Sequence, residues 1–211
     1  MNKLTIIGIA GLARQGKSTL AAALVEQGWT EVTFAGPLKA GVCAMLKITP
    51  EELEGHKSKP LPWLGVTTRK VLQAVGTDAM RNRVSRDVWT VLAKREIDRL
   101  SREGVTKIVV SDVRFNDEAE MLLRRGAVIW RVTRHRQDRW ERFHAWLLGH
   151  ASERGIDRRL VDVEIENDGN VEDLKAVTTS LLDYTPLDGR IYCSDWSTEA
   201  GCVSMPPKGR K

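Results

Sequence analysis

Gly11-Leu12-Ala13-Arg14-Gln15-Gly16-Lys17-Ser18 is a complete G-x-x-x-x-G-K-[ST] phosphate loop, and its neighbours on either side decide what it means. Before it, Leu4-Thr5-Ile6-Ile7-Gly8-Ile9-Ala10 is a short apolar run that suits a buried strand. After it, Thr19-Leu20-Ala21-Ala22-Ala23-Leu24-Val25-Glu26 is rich in good helix formers. Strand, glycine loop and helix in that order let backbone N–H groups crowd round phosphate oxygens, and the helix N-terminus adds positive potential. In that setting Gly11, Ala13, Arg14, Gly16 and Thr19 border a nucleotide's phosphates. Lys17 reaches the β- and γ-phosphates, and Ser18 places its hydroxyl on Mg²⁺. The competing reading, a glycine-rich turn with a surface lysine, accounts for the letters but not for the flanking strand and helix.

The rest of the chain continues the same pattern. Apolar, β-rich runs at Leu4–Ile9, Glu31–Phe34, Lys107–Ser111, Val128–Val132 and Val161–Ile165 alternate with helical segments. That alternation marks an α/β fold with a parallel sheet. Asn116 to Gly126 is the best punctuated helix, with an Asn cap, acids in its first turn, arginines in its last and a terminal glycine. Asp87 to Arg102 is near helical period, Thr67 to Arg83 reads as a helix broken or bent at Gly76, and Asp173 to Leu182 is another. Thr49 to Pro62, polar and with three prolines, reads as an irregular insertion. The tail from Pro186 lacks a period and reads as a loosely attached extension in which Trp196 could act as a pin.

Composition narrows the function classes. A chain of 211 residues allows one domain, or one with an insertion, and an ample core. Nothing in it is long and apolar enough to cross a membrane. The N-terminal apolar run is too short for a signal peptide, so a cytoplasmic protein is expected. Cys43, Cys193 and Cys202 are odd in number and show no C-x-x-C spacing, which argues against a disulfide framework and a zinc site. The net charge is +5, and 131–160 alone contributes +4, with eight arginines against four acids. This local basicity suits either a nucleic-acid surface or a segment that closes over a polyphosphate, and the phosphate loop favours the second.

In a parallel sheet, ligands bind beyond the carboxyl ends of the strands. Lys107-Ile108-Val109-Val110-Ser111-Asp112 ends like a Walker B strand, so Asp112 is a candidate Mg²⁺ ligand and Arg114 a candidate bidentate phosphate grip. The alternative is an Asp that caps the next helix and an Arg on the surface. After Val132 come Arg134, Arg136, Arg139 and Arg142, of which Arg139 and Arg142 would share a helical face. As a lid they would neutralise a migrating phosphoryl group and exclude water; otherwise they are a solvated helix. Glu166-Asn167-Asp168-Gly169-Asn170 is a tight turn that either wraps an adenine edge or is simply a turn. His56, His135 and His144 have no recognisable partners.

These residues together resemble the bacteriophage-type deoxynucleoside monophosphate kinases, a branch of the P-loop nucleotide kinases. The likeness spans Leu4 to Leu182 and rests on seven motifs in order. They are 11–19, Phe-Ala-Gly-Pro-Leu-Lys at 34–39, Arg69 with Leu-Gln-Ala-Val-Gly-Thr at 72–77, and Arg81 with Asp87-Val-Trp89. Then follow Ser-Asp-Val-Arg-Phe-Asn-Asp-Glu-Ala-Glu at 111–120, His-Ala-Ser-Glu at 150–153 and Asn-Asp-Gly at 167–169.

The resemblance implies a three-layer α/β/α fold on a five-stranded parallel sheet, with one kinase domain over 1–185. A helical acceptor insertion would cover about 37–105, an arginine lid about 133–160, and an extension 186–211. It implies phosphoryl transfer from ATP, with Mg²⁺, to a deoxynucleoside monophosphate, with Lys17, Arg114, Arg134 and Arg139 as the catalytic cations. Asn167 and Gly169 would join the ATP site. Lys39, Arg69, Gln73, Thr77, Arg81, Asp87, Trp89, Asp112, Arg114, Phe115, Glu118, His150, Ser152 and Glu153 would form the acceptor side. The partner implied is a small nucleotide rather than nucleic acid or membrane, and a homodimer stays open. The family often carries an acid where this chain has Gly36. A dephospho-coenzyme A or sugar kinase on the same scaffold is the nearest alternative, and a nucleic-acid-binding P-loop ATPase a more distant one.

Overall fold

A computed structural model describes residues 4–134, 155–184, 197–198 and 201–204. The chain divides into two compact units, 1–32 with 100–211, and 33–99.

The first unit is built on a parallel sheet. Its strands are β1 Thr5–Ala10, β2 Thr30–Val32, β3 Lys107–Val113, β4 Val128–Thr133 and β5 Val163–Glu166, in the spatial order β2-β3-β1-β4-β5. The five expected strands are all present, with ends displaced by a residue or two. β1 is central, and its residues from Ile6 onward are buried, as a strand covered on both faces requires. Ile7 and Ile9 join Leu20, Ala21 and Leu24 of α1 (Lys17–Glu26) and Leu174 and Val177 of α7 (Val171–Tyr184) in one core. On the opposite face Gly8 lies under α6 (Asn116–Leu123). A Cβ there would come within 2.9 Å of Leu122 and 2.7 Å of Ile129. The unit is therefore a three-layer α/β/α sandwich. The chain leaves β1 through α1 for β2 on one side, and leaves β3 through α6 for β4 on the other, so the connections part at the carboxyl end of β1, the topological switch point.

Two short strands from the tail, β6 Ser197–Thr198 and β7 Gly201–Ser204, extend the sheet past β5, with β7 antiparallel to it through Glu164↔Ser204 and Ile165↔Val203. The tail gave no periodic signal, because four residues paired with a distant strand leave none.

The second unit is helical. α2 (Gly36–Leu46) starts with Pro37 in its first turn, where a missing N–H does no harm. Thr49 to Pro62 is not irregular throughout. It contains α3 (Pro50–Gly55), started by a capping box in which Glu52 N donates to Thr49 Oγ1 (3.2 Å) and Thr49 N to Glu52 Oε2 (2.8 Å). α4 (Thr68–Gln73) is capped by Thr67, and Thr68, fully buried, donates to the Leu53 carbonyl at 2.6 Å.

The helix expected to be broken or bent at Gly76 continues through it. α4 passes directly into a π-helix, Ala74–Val84, that carries Gly76 in its first turn. Gly76 serves packing instead: it is buried, a Cβ on it would meet the Leu38 side chain, and its carbonyl accepts from Trp89 Nε1 at 3.0 Å. Helix α5 (Val88–Arg102) follows.

Candidate active site

The phosphate loop occupies the switch point. Three of its residues have positive φ: Gly11 at 146°, Arg14 at 63° and Gly16 at 100°. Gly11 is required twice over, because a Cβ there would also approach the Val132 carbonyl oxygen to 2.6 Å. Within the loop, Leu12 N donates to Gln15 Oε1 at 2.6 Å, and Lys17 Nζ arches back to donate to the Leu12 carbonyl at 2.6 Å. The ammonium is thus held over the loop, above the start of α1. Ser18 is exposed on the first turn of that helix, with Thr19 half-buried beside it, while Ala13 and Arg14 are exposed at the loop's outer bend.

The turn after β5 meets this loop. Asn167 is 6% exposed, and its Nδ2 donates to the Gln15 carbonyl at 2.9 Å. Its backbone N–H donates to the Thr133 carbonyl at 2.7 Å. Arg134, the first residue beyond β4, donates from Nε to the Asn167 carbonyl (2.8 Å) and from Nη2 to the Gly169 carbonyl (3.2 Å). Nothing in the sequence signals the Asn167–Gln15 bond, since 152 residues separate the partners.

The carboxyl end of β3 lies next to the loop as well. Ala10 is paired with Val113, so Asp112, half-buried, sits beside the last residues of β1. Arg114 is exposed just beyond the strand. Its backbone N–H and that of Phe115 both donate to Glu118 Oε2, at 2.8 and 3.1 Å, and Glu118 is only 3% exposed. The residue that secures this turn is therefore Glu118, which fixes the backbone carrying Arg114. Ser111 Oγ donates to the Glu31 carboxylate on the neighbouring strand.

Within the helical unit, Arg69 is exposed on α4, Gln73 ends that helix, and Thr77 and Arg81 lie on the π-helix. The four recur every fourth residue, a spacing that keeps them near one side of a continuous helix. Runs of π geometry are rare and concentrate at functional positions. Asp87 is exposed at the start of α5, where its backbone N–H donates to Ser85 Oγ (3.3 Å) and its carbonyl accepts from Thr90 Oγ1 (2.8 Å). Trp89 is tied to Gly76 as described. Lys39 pairs with Glu54 at 3.1 Å. Burial pushes the Glu54 carboxyl up, but hydrogen bonds from Lys57 and Lys39 outweigh it and hold the group below the usual carboxylate range. At Gly36 a Cβ would lie 2.7 Å from Thr33 Oγ1, so an acid there would require Thr33 to move.

Arg139, His150, Ser152 and Glu153, with most of the expected lid, lie outside the described residues. Among the described residues, no three His, Cys, Asp or Glu side chains gather as a metal centre, and no helix is long and apolar enough to cross a membrane.

Comparison with known proteins adds the following. Residues 62–177 match the family model for deoxynucleotide monophosphate kinase. A protein of Acanthamoeba polyphaga mimivirus, named "Putative deoxynucleotide monophosphate kinase", is 30% identical over 145 residues, which cover 62% of this chain and 75% of that protein. Among solved structures, a sugar kinase from Janibacter sp. HTCC2649 aligns at 13% identity over 89% of this chain and 99% of that one, with a TM-score of 0.49. Dephospho-CoA kinase from Campylobacter jejuni aligns at 13% identity over 85% and 95%, with a TM-score of 0.40.

Proposed function

This chain belongs to the deoxynucleotide monophosphate kinase family and is an ATP-dependent nucleotide kinase, and from that premise we propose that it transfers the γ-phosphoryl group of ATP to a deoxynucleoside monophosphate, giving ADP and the deoxynucleoside diphosphate. One observation carries the choice of acceptor. The family match covers 62–177, the span holding Arg69, Gln73, Thr77, Arg81, Asp87, Trp89, Arg114 and Glu118, and leaves out the phosphate loop. Any kinase on this scaffold would share the loop. The matched span includes the expected acceptor region, Arg69 to Trp89, where a kinase for another acceptor would differ.

The acceptor is already a phosphate anion, so no general base is needed to remove a hydroxyl proton. The protein's task is to bring two polyanions into line and neutralise the group in transit. Lys17 would leave the Leu12 carbonyl for the β- and γ-phosphates, and the loop's N–H groups would hold the same oxygens. Arg114 would take the acceptor phosphate from a turn braced by Glu118, with Arg139 supplying further positive charge. Arg69 and Arg81 would hold the acceptor phosphate, with Gln73, Thr77 and Trp89 toward sugar and base. Ser18 and Asp112 suit Mg²⁺: both are hard oxygen donors beside the loop, and this ion is commonly held by one or two protein groups plus phosphates and water. When bound, held by Ser18 and Asp112, it would offset the negative charge of the phosphates.

ADP release from Mg-ATP against a panel of deoxynucleoside and ribonucleoside monophosphates, with dephospho-coenzyme A and simple sugars included, tests the proposal. Stimulation by one or a few deoxynucleotides is expected. Stimulation only by dephospho-coenzyme A or a sugar would replace the acceptor. Turnover that needs added DNA would replace the function.

A further inference from the structure

We propose that Asn167 and Arg134 are positioning residues that set the direction of the phosphate loop's hydrogen bonding, and that they act on ATP only through the Gln15–Gly16 peptide. The inference rests on the loop being the ATP site and is independent of the acceptor's identity.

A trans peptide is planar, and its C=O and N–H point in opposite directions. No peptide bond in the described residues is cis. Whatever holds the Gln15 carbonyl therefore also aims the Gly16 N–H. The holder is Asn167, whose Nδ2 lies 2.9 Å from that carbonyl oxygen in a buried setting. A carbonyl can only accept, so the amide's N–H₂ end must face it. With the carbonyl drawn toward the turn after β5, the Gly16 N–H points away from that turn, the side on which the proposal places the phosphates. Without Asn167 the peptide could rotate and present a carbonyl oxygen to the phosphates.

Gly16 has a second constraint from the same contact. Besides φ at 100°, a Cβ on it would run into Asn167 Nδ2. The second glycine of the loop is thus shaped to the asparagine that steers its peptide.

Arg134 holds the asparagine in place. Its guanidinium spans two carbonyls of one turn, those of Asn167 and Gly169, and the Asn167 N–H is anchored to Thr133 at 2.7 Å. The end of β4, the turn after β5 and the phosphate loop thereby become one hydrogen-bonded series. These contacts turn Arg134 toward the backbone of the turn, which is a task distinct from gripping phosphate.

Calorimetric titration of Mg-ATP into the full chain and its Asn167→Ala, Asn167→Asp, Arg134→Ala and doubly substituted (Asn167→Ala with Arg134→Ala) variants tests this, with a melting curve for each. Losing the amide that donates to the Gln15 carbonyl should weaken ATP binding about tenfold or more in Asn167→Ala. Asn167→Asp should be worse, because a carboxylate would face the carbonyl oxygen. Arg134→Ala should lose less, and the double variant should bind no more weakly than Asn167→Ala, since both act through one peptide. In turnover, the loss should appear in KM for ATP while KM for the acceptor holds. ATP binding by Asn167→Ala within twofold of the parent overturns the proposal, and additive losses overturn the part given to Arg134. If Asn167→Ala does not fold, unchanged binding by Arg134→Ala overturns it. A failed acceptor panel with ATP binding intact would count against the proposed acceptor alone and leave this test standing.

Discussion

The phosphate loop and the helical unit hold their candidate residues by opposite means. In the loop the backbone would itself be the binding device, and it is tied from afar. Asn167 reaches it across 152 residues, and Gly11 packs against the β4 carbonyl of Val132. In the helical unit side chains would be the device, with only their register to be fixed. Thr67 caps the helix locally, Thr68 and Gly76 are buried, and the Trp89 indole holds the Gly76 carbonyl thirteen residues away. A loop that reads phosphate with its N–H groups tolerates little rotation of its peptides. A helix that presents Arg69 or Arg81 can leave those side chains adaptable.

This contrast can be broken from either side. Lys17→Ala removes the loop cation proposed to reach the β- and γ-phosphates, and turnover should fall about 10³-fold or more while the melting temperature stays near that of the parent. Near-normal activity would remove the loop from the mechanism. Arg69→Ala should raise KM for the acceptor about 10- to 100-fold, the worth of a hydrogen bond to a charged group, and leave KM for ATP unchanged. A matching rise in KM for ATP would show that the two regions do not divide the work.

Trp89→Phe keeps the ring but leaves the Gly76 carbonyl without its indole partner. A loss of about 1 kcal/mol in unfolding free energy is expected, and chemical denaturation would measure it. The smallest effect concerns Asp157. The Arg159 side chain, then the Arg159 backbone N–H, hold its carboxyl well below the usual value, at about 2. A depressed acid stabilises the fold above its unfolded pKa and loses that contribution as pH falls toward the folded one. Melting temperatures of the parent and Asp157→Asn should therefore run parallel from about pH 5 to 8 and converge only in strong acid. Convergence near neutrality would mean that the pair is not formed in solution.

Much of this was legible in the sequence, and the limits follow from which interactions are local. The central strands β1 and β3 showed themselves because strands buried on both faces are apolar runs, as Ile6–Ala10 and Ile108–Val110 are. α3 was also announced, by Thr49-Pro50-Glu51-Glu52, a capping-box signature with proline at the first helical position; three prolines over Thr49–Pro62 drew attention away from it. Gly76 looked like a breaker because local propensity penalises glycine in a helix, yet tertiary packing against Leu38 needs it there. The four-residue recurrence from Arg69 to Arg81 was the stronger signal. Asn167 stands out in the sequence as a candidate, but its bond to Gln15 does not, since no spacing rule links residues 15 and 167.

The strand Gly201–Ser204 changes the prospects of the molecule in crowded solution. A parallel sheet that ended at β5 would offer a ladder of unpaired N–H and C=O groups, an open template for another chain. β7 covers that ladder, and beyond it the margin shrinks to the two residues of β6, while the far margin, β2, is only three residues long. Short, sheltered rims of this kind discourage strand-by-strand association, so shortening the chain before residue 201 should raise its tendency to aggregate, as light scattering would show.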